Sequence, residues 1–516
     1  MATQPRLDRT TLAALRAGGT GPAVRLPEAS SAGRTPGIVH LGLGAFHRAH
    51  QAVFTERAAR VTGDDRWAIH GVTQRSPRVR DQLAPQDMLY GVLELSDAGH
   101  AVDVMGVHSG VSYPAEDTGR VLDTIAAPTT HVVTLTVTEK GYRRAADGGP
   151  DLTDPALVAD LAALVADLDS AQGAESDAPC RSAIGMLVRG LARRWRRGAG
   201  PLTVVCCDNL LDNGPQVERL VHALVAASAA CEAPALLEWL RAEVRFPATM
   251  VDRIVPATTD AHRAVAARIL GASDAGLVVA EPFMQWVIED SFAGPRPAWE
   301  RAGATLTSDV APFEQTKLRI LNGAHSTLAY AGALRGYATI AEAVAAPELR
   351  DLAVALVDDD AIPTLGAATE IDLDANRESV LERFANSAIG HTTVQIAMDG
   401  SQKLPIRMLA TARARLAAGA VPHAAARAVA EWMLYVRATT AGELSIAGAT
   451  VALDDPIAAT LADAAAGPLD SLADRMLGLR DVFGADLAGD DRWRGAVRAA
   501  VTEAARDVAA TAAVAR

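Results

Sequence analysis

Lysine is almost absent from this 516-residue sequence: of its 49 basic residues only Lys140, Lys317 and Lys403 are lysines. Guanidinium stays protonated at any working pH, so a proton-transfer role that needs an amine falls to one of three positions. The alternative is compositional drift that left three lysines by chance. Cysteine is scarce as well. Cys180, Cys206, Cys207 and Cys231 include no C-x-x-C, and two of them are adjacent in an apolar run. This argues against a disulfide scaffold and a cysteine-based zinc site, and fits a reducing cytoplasm. No run of about 18 apolar residues occurs, so no membrane-spanning helix is expected. Met1–Ala32 lacks the apolar stretch and cleavage signature of a secretory signal. A formal charge of −13 argues against a general nucleic-acid or anionic-membrane binder. No tyrosine has a lysine four residues later, and H-E-x-x-H, G-x-S-x-G and the G-x-x-x-x-G-K-[ST] loop are all missing. Metal hydrolysis, serine hydrolysis and P-loop phosphoryl transfer therefore lose ground, and no metal ligand set is assigned.

What is present is ample apolar content, 49% hydrophobic residues, enough for the cores of two or more domains. Short β-branched runs at Gly37–Gly42, Trp67–Thr73, His131–Thr138 and Leu202–Cys207 read as strands. Helix-like stretches at Phe46–Val61 and Pro155–Leu168 alternate with them, which implies a doubly wound parallel sheet. The Pro- and Gly-rich segment Phe292–Trp299 reads as a linker. Beyond it Thr339–Ala346, Pro347–Val357, Met408–Ala418, Ala424–Ala441 and Trp493–Ala515 look helical. The expected organisation is an α/β Rossmann-type dinucleotide-binding domain over 1–300, with a short extension at 1–35, and a mainly α-helical domain over 301–516. The Ala-rich C-terminus is expected to be packed or exposed helix.

Gly42-Leu43-Gly44 lies between the first strand and its helix, where two glycines let the backbone approach a pyrophosphate. His47 takes the usual third glycine position, and a plain strand–helix turn is the competing reading. Gly42, Gly44, Ala45 and Phe46 are the cofactor candidates here. The second strand ends Thr73-Gln74-Arg75-Ser76, with a cation where an NAD site would place an acid, which leans toward a 2′-phosphate and NADP. The stretch Glu314–His325 reads as a helix. At about 100° per residue with Lys317 as zero, Glu314 falls near 60°, His325 near 80° and Asn322 near 140°. Leu318 and Leu321 share that arc, so the face is covered in part; the alternative is a solvent face with an ordinary i,i+3 ion pair at Glu314. Asp208-Asn209 directly follows a strand, where open α/β sheets bind ligands, although an Asx turn would read the same way. Thr138–Tyr142, Phe246–Arg253 and Met398–Pro405 each read alone as a turn or a salt bridge.

Taken together, IVHLGLGAFHRAHQ (38–51), TEKGY (138–142), CDNLLDNG (207–214), FPATMVDRIVP (246–256), KLRILNGAHSTLAY (317–330) and DGSQKLP (399–405) resemble the mannitol dehydrogenase family of long-chain polyol dehydrogenases. The resemblance implies metal-independent interconversion of a polyol and a ketose, with NAD as cofactor and NADP as the alternative. It places the catalytic lysine at Lys317, oxyanion-stabilising asparagines at Asn209 and Asn322, and the substrate-orienting histidine at His325. Asp252 and Lys403 match substrate-contacting positions, and Glu139 and Lys140 fall in a cofactor-side block. The stretch His391–Arg407 resembles the hexuronate branch, the fructuronate reductases or mannonate oxidoreductases. That branch commonly carries arginine where Thr392 stands, and mannitol 2-dehydrogenases tend to carry arginine where Gln395 stands; Lys403 and Arg407 are the cations left for a carboxylate. The expected substrate is a sugar, polyol or hexuronate, most like fructuronate/mannonate. The alternatives are a mannitol 2-dehydrogenase, another hexitol or phosphohexitol dehydrogenase, or a non-catalytic sensor. A cytoplasmic monomer or small homo-oligomer, with no nucleic-acid or membrane partner, is expected. A lysine serves as base near neutral pH only when desolvation or neighbouring positive charge lowers its pKa.

Overall fold

The computed structural model describes residues 4–170, 175–366 and 371–514. The chain divides into two compact units, Met1–Val310 and Ala311–Arg516.

The first unit is built on six strands: β1 (Ile38–Leu41), β2 (Ile69–Val72), β3 (His108–Ser112), β4 (Val132–Leu135), β5 (Leu202–Cys206) and β6 (Val244–Arg245). They run in the order β3-β2-β1-β4-β5-β6, every neighbouring pair parallel. This is the Rossmann order, with the topological switch between β1 and β4. β1 to β5 are buried throughout, so β1, β2, β4 and β5 read as mainly apolar runs rather than alternating ones; β3, with the sequence HSGVS, carries no such signal and is not expected from the sequence. Their side chains still alternate between faces. Val39, Leu41, Val133 and Leu135 pack with helices Pro114–Ala126 and Ala183–Arg196, whereas Ile38 and Val132 pack with Trp67, Trp286 and Trp299. Pro155–Leu168 is a helix with those bounds, because Asp154 caps Ala156 N–H and Leu157 N–H and Pro155 suits the first turn.

Two expectations change. The helix expected over Phe46–Val61 is two, Ala45–Ala49 and Gln51–Thr62, broken at His50. His50 leaves helical dihedrals while its ring pairs with the Gln285 carbonyl at 2.8 Å and stacks on Phe46, so tertiary contacts override local propensity. The Pro/Gly segment 292–299 does not separate the units. Ala293 N–H donates to Thr203, Trp299 is buried against Trp286, and Thr305–Thr307 pairs with Gln285–Glu289.

The second unit is helical around His423–Thr440, whose Trp432, Met433, Tyr435 and Val436 are buried. Gly323–Leu334 and the C-terminal helix Asp491–Val514 pack on it. The Ala-rich terminus is therefore packed, burying Trp493, Val497, Val501 and Ala504. Among the described residues no helix is long and apolar enough to cross a membrane.

Candidate active site

In the first unit the site residues gather at the carboxyl ends of the parallel strands. Gly42, directly after β1, has φ +98, and a Cβ there would run into the Thr136 carbonyl oxygen. Only glycine fits. Gly44 caps Ala45–Ala49, and only the Gly42 carbonyl lies within 4 Å of where its Cβ would be. The backbone of this turn is thus open to close approach, as a pyrophosphate requires. His47, at the third glycine position, does not open the turn. Its buried ring stacks on His40 at 3.4 Å and meets His108 edge-on at 5.5 Å. His40 bonds Thr134 and Thr136 through its two nitrogens, and burial pushes its pKa down to about 3.

Asp208, after β5, organises the neighbouring loops. Its carboxylate accepts from Val137 N–H and Thr138 N–H at 2.9 Å and from the Tyr142 hydroxyl at 2.7 Å. It therefore pins the one-turn segment Glu139–Tyr142 beyond β4 and leaves Asn209, Glu139 and Lys140 exposed. Glu139 meets Arg144. Buried Asn213 completes the clamp, donating to the Asp208 and Thr249 carbonyls and accepting from Thr249 N–H. Arg75 stands exposed past the end of β2, and Ala45 and Phe46 are half-buried in the glycine turn. Asp252 differs in setting: it is buried at the end of Thr249–Asp252, in an antiparallel pair with Gln285–Glu289. Next to it the Arg253 guanidinium holds Glu94 and the Ala49 and Glu281 carbonyls.

In the second unit Lys317 begins a π-helical turn, Lys317–Asn322, set between Ala311–Thr316 and Gly323–Leu334. This corrects the uniform 100° projection. In a π turn the hydrogen bonds run from i to i+5 and each turn is wider, so Lys317 and Asn322 fall closer to one face than the about 140° of a regular helix. Both are half-buried. His325 follows one turn on, buried, stacked against Phe384 at 4.6 Å and His391 at 5.6 Å. Its buried Nε2 has no partner among the described residues. Burial, and then the positive charges around it, push its pKa well below the usual histidine value, so the ring is neutral.

A second π turn, Pro405–Leu409, packs on the first and carries Arg407. The Arg407 guanidinium donates to the Ser326 hydroxyl at 2.8 Å, and its buried Nε has no partner among the described residues. Lys403, one turn earlier, donates to the Ile396 carbonyl at 3.3 Å. Burial and then Arg407 push its pKa down to about 8. Neither cation forms an ion pair among the described residues. The sequence had not marked Ser326, Phe384 or His391 as members of this cluster. Their signal was adjacency, Ser326 beside His325 and His391 opening the hexuronate-like stretch.

The sheet order and glycine turn define a Rossmann-type dinucleotide-binding unit, joined in one chain to a helical unit bearing a lysine–asparagine–histidine set. The chain belongs to the mannitol dehydrogenase family: residues 36–301 match the mannitol dehydrogenase Rossmann domain and 309–505 the mannitol dehydrogenase C-terminal domain. It is 40% identical to D-mannonate oxidoreductase of Escherichia coli (strain K12) over 471 residues, 90% of this chain and 92% of that protein. The structure of Pseudomonas fluorescens mannitol 2-dehydrogenase, a ternary complex with NAD and D-mannitol, is 32% identical with a TM-score of 0.81, covering 98% of each chain. A substrate-free D-sorbitol dehydrogenase is 29% identical with a TM-score of 0.84, covering 98% of this chain and 99% of that one. The chain is thus an oxidoreductase of CH–OH groups in an NAD-dependent family.

Proposed function

We propose that this enzyme interconverts a ketohexuronate and its aldonate, of the fructuronate/mannonate kind, with Lys317 as general acid and base. The observation that carries the substrate class is the pair Lys403 and Arg407, two largely buried cations near His325 that form no ion pair among the described residues; Lys403 feels Asp399, Asp455 and Asp454 only at longer range, and no carboxylate acts on Arg407. A buried charge without a counter-ion is costly, and a substrate carboxylate would supply the missing partner. The mannonate oxidoreductase relative supports the same reading.

The first unit fits a nicotinamide dinucleotide: Gly42, Gly44, Ala45 and Phe46 form an open turn at the sheet's carboxyl edge, and Arg75, Glu139 and Lys140 stand exposed along it. When bound, that cofactor supplies or accepts the hydride. The chain's own residues handle the proton and the oxygen. In oxidation Lys317 Nζ takes the proton of the reacting hydroxyl; in reduction it returns that proton to the oxygen. Asn322 donates a hydrogen bond to the developing alkoxide, and Asn209 is assigned the same role by family resemblance; one well-placed donor is worth roughly 3 kcal/mol. Neutral His325 uses its unpartnered Nε2 to fix the reacting oxygen or a neighbouring hydroxyl. Asp252 is assigned to substrate hydroxyls.

Steady-state rates with fructuronate, fructose, mannonate and mannitol, each with both cofactors, test this reading. The uronate pair is expected to exceed the neutral pair at least about tenfold in kcat/KM, the worth of one charged hydrogen bond. Faster turnover of fructose and mannitol would make it a mannitol 2-dehydrogenase. Nucleotide binding without turnover of any of them would make it a sensor.

A further inference from the structure

The helical unit holds a second histidine that the proposed chemistry leaves idle. His391 lies just before the helix Thr393–Ala397, and its ring runs near-parallel to that of His325, 5.6 Å away at an interplanar angle of 20°. Phe384 lies near-parallel to His325 as well, at 4.6 Å and 25°. Phenylalanine brings no polar atom to this layer. Its nitrogens without a partner among the described residues are His325 Nε2 and His391 Nδ1, both buried. Leaving a buried polar atom unbonded is costly, so a ring kept only for packing gains nothing from being an imidazole. His47 and His108 also carry unpartnered nitrogens, but both residues are sealed inside the first unit. His391 is only half-buried, so a ligand can reach its ring.

The loop that carries His391 is held without that ring. The His391 carbonyl accepts from Ile340 N–H at 2.9 Å, Thr393 N–H donates to the Ala338 carbonyl at 3.0 Å, and the Thr393 hydroxyl to the Tyr337 carbonyl at 2.9 Å. The short helix also separates His391 from the cations. Lys403 holds the Ile396 carbonyl near its other end, and five residues of helix rise about 7–8 Å. Five carbon–carbon bonds of about 1.5 Å span about 6 Å in zigzag. An extended six-carbon uronate with its carboxylate at Lys403 and Arg407 therefore points its other end toward His391. Burial pushes the His391 pKa below the usual histidine value. A neutral imidazole offers one donor and one acceptor, and a hydroxyl can meet either.

We infer that His391 is a specificity-determining residue whose Nδ1 hydrogen-bonds the primary hydroxyl beside the reacting carbonyl, at the end of the substrate opposite the carboxylate. The orientation rests on the uronate reading. The hydroxyl contact itself does not, because fructose carries the same group.

The test is steady-state reduction of fructuronate and of fructose, each beside its 1-deoxy analogue, by the native chain and by His391 variants with NADH. In the native enzyme, loss of that hydroxyl is expected to lower kcat/KM about tenfold. His391→Phe keeps a flat ring against His325 and removes both nitrogens. It should lose about tenfold on the full ketose and then treat ketose and deoxy analogue alike. His391→Asn carries its amide where Nδ1 stood, and should stay within about threefold of native kcat/KM and keep the discrimination. His391→Gln carries its amide at the Nε2 position instead and should lose the discrimination, which keeps the contact testable where the phenylalanine variant does not fold. A native enzyme blind to the missing hydroxyl, or His391→Phe and His391→Gln variants that still discriminate as the native chain does, overturns the contact and leaves the uronate reading standing. Fructose outrunning fructuronate, with the discrimination intact, overturns the uronate reading and leaves the contact.

Discussion

Replacing Arg407 by methionine should make the protein more stable and less able to use a uronate. Methionine keeps an unbranched chain and removes the guanidinium. Among the described residues that guanidinium has one hydrogen bond, to the Ser326 hydroxyl, and its Nε has no partner; burial pushes its pKa down. An unpaired charge held out of water costs several kcal/mol, against about 1 kcal/mol for the single hydrogen bond given up at Ser326. A net gain on the order of 1 kcal/mol should raise the melting temperature by about 2–4 °C. The substrate arm runs the other way. Losing a charge-assisted bond to a carboxylate removes about 2–3 kcal/mol, or about 30- to 150-fold in kcat/KM for fructuronate. The rate with fructose, which has no carboxylate, should change by less than about threefold. Thermal unfolding by calorimetry and steady-state rates on both ketoses measure the two arms on one preparation. If stability falls and both substrates lose rate together, Arg407 is a structural pin and the carboxylate reading fails.

Other consequences can be checked separately. Lys317→Ala should lower kcat by at least about 100-fold while dinucleotide binding persists; a variant keeping more than a tenth of native kcat would remove Lys317 as the acid–base group. Lys403, with its pKa pushed down to about 8, loses its charge as pH rises through that value. KM for the uronate should therefore climb above pH 8 while KM for fructose stays flat, and parallel profiles would refute the assignment. Buried His40 and His108, pushed down to about 3, and His70, down to about 4, stay neutral in the folded state while the unfolded chain takes up protons near 6.5. Their contribution to stability is complete above pH 6.5 and is lost as pH falls toward the folded values, about 2 kcal/mol each at pH 5. Buried Glu56 and Asp274, raised by desolvation, run the opposite way. The histidine part is therefore isolated by His108→Asn, whose urea-measured stability should fall less between pH 7 and pH 5 by about that amount; identical slopes would count against it.

Where local chemistry decided the structure, the sequence could be read. Asp154-Pro155 announces a helix start, the β-branched runs announce buried parallel strands, and Gly42 sits where only glycine has the conformational room. Where distant parts of the chain decide, it could not. The break at His50 depends on the carbonyl of Gln285, 235 residues away. The segment 292–299 has the composition of a linker, yet Trp299 finds Trp286 and Thr55 and becomes core. The π turn at Lys317–Asn322 has no compositional mark. Its consequence is chemical, because it brings Lys317 and Asn322 nearer to one face where a regular helix would turn them apart.

Arginine was the hardest residue to read. A shortage of lysine makes each arginine look like a generic cation, and the structure separates them by what their donors do. Arg194 is buried and meets no carboxylate among the described residues, yet its guanidinium donates to the carbonyls of Gly200, Ile125, Ala127, Ala199 and Pro201. It closes the chain around the turn after helix Ala183–Arg196 and has no donor left to offer. Arg48 likewise goes to the Gly44 and Gly276 carbonyls, bracing the glycine turn from behind. Burial without a counter-ion is therefore not enough to assign a ligand. Arg407 differs because among the described residues it makes a single side-chain hydrogen bond, it shares its surroundings with a cationic lysine and a neutral histidine, and it sits on a π turn packed against the one that carries Lys317 and Asn322. An arginine kept only for structure would have collected carbonyls as Arg194 does; one held for an anionic substrate must leave its donors open until the substrate arrives.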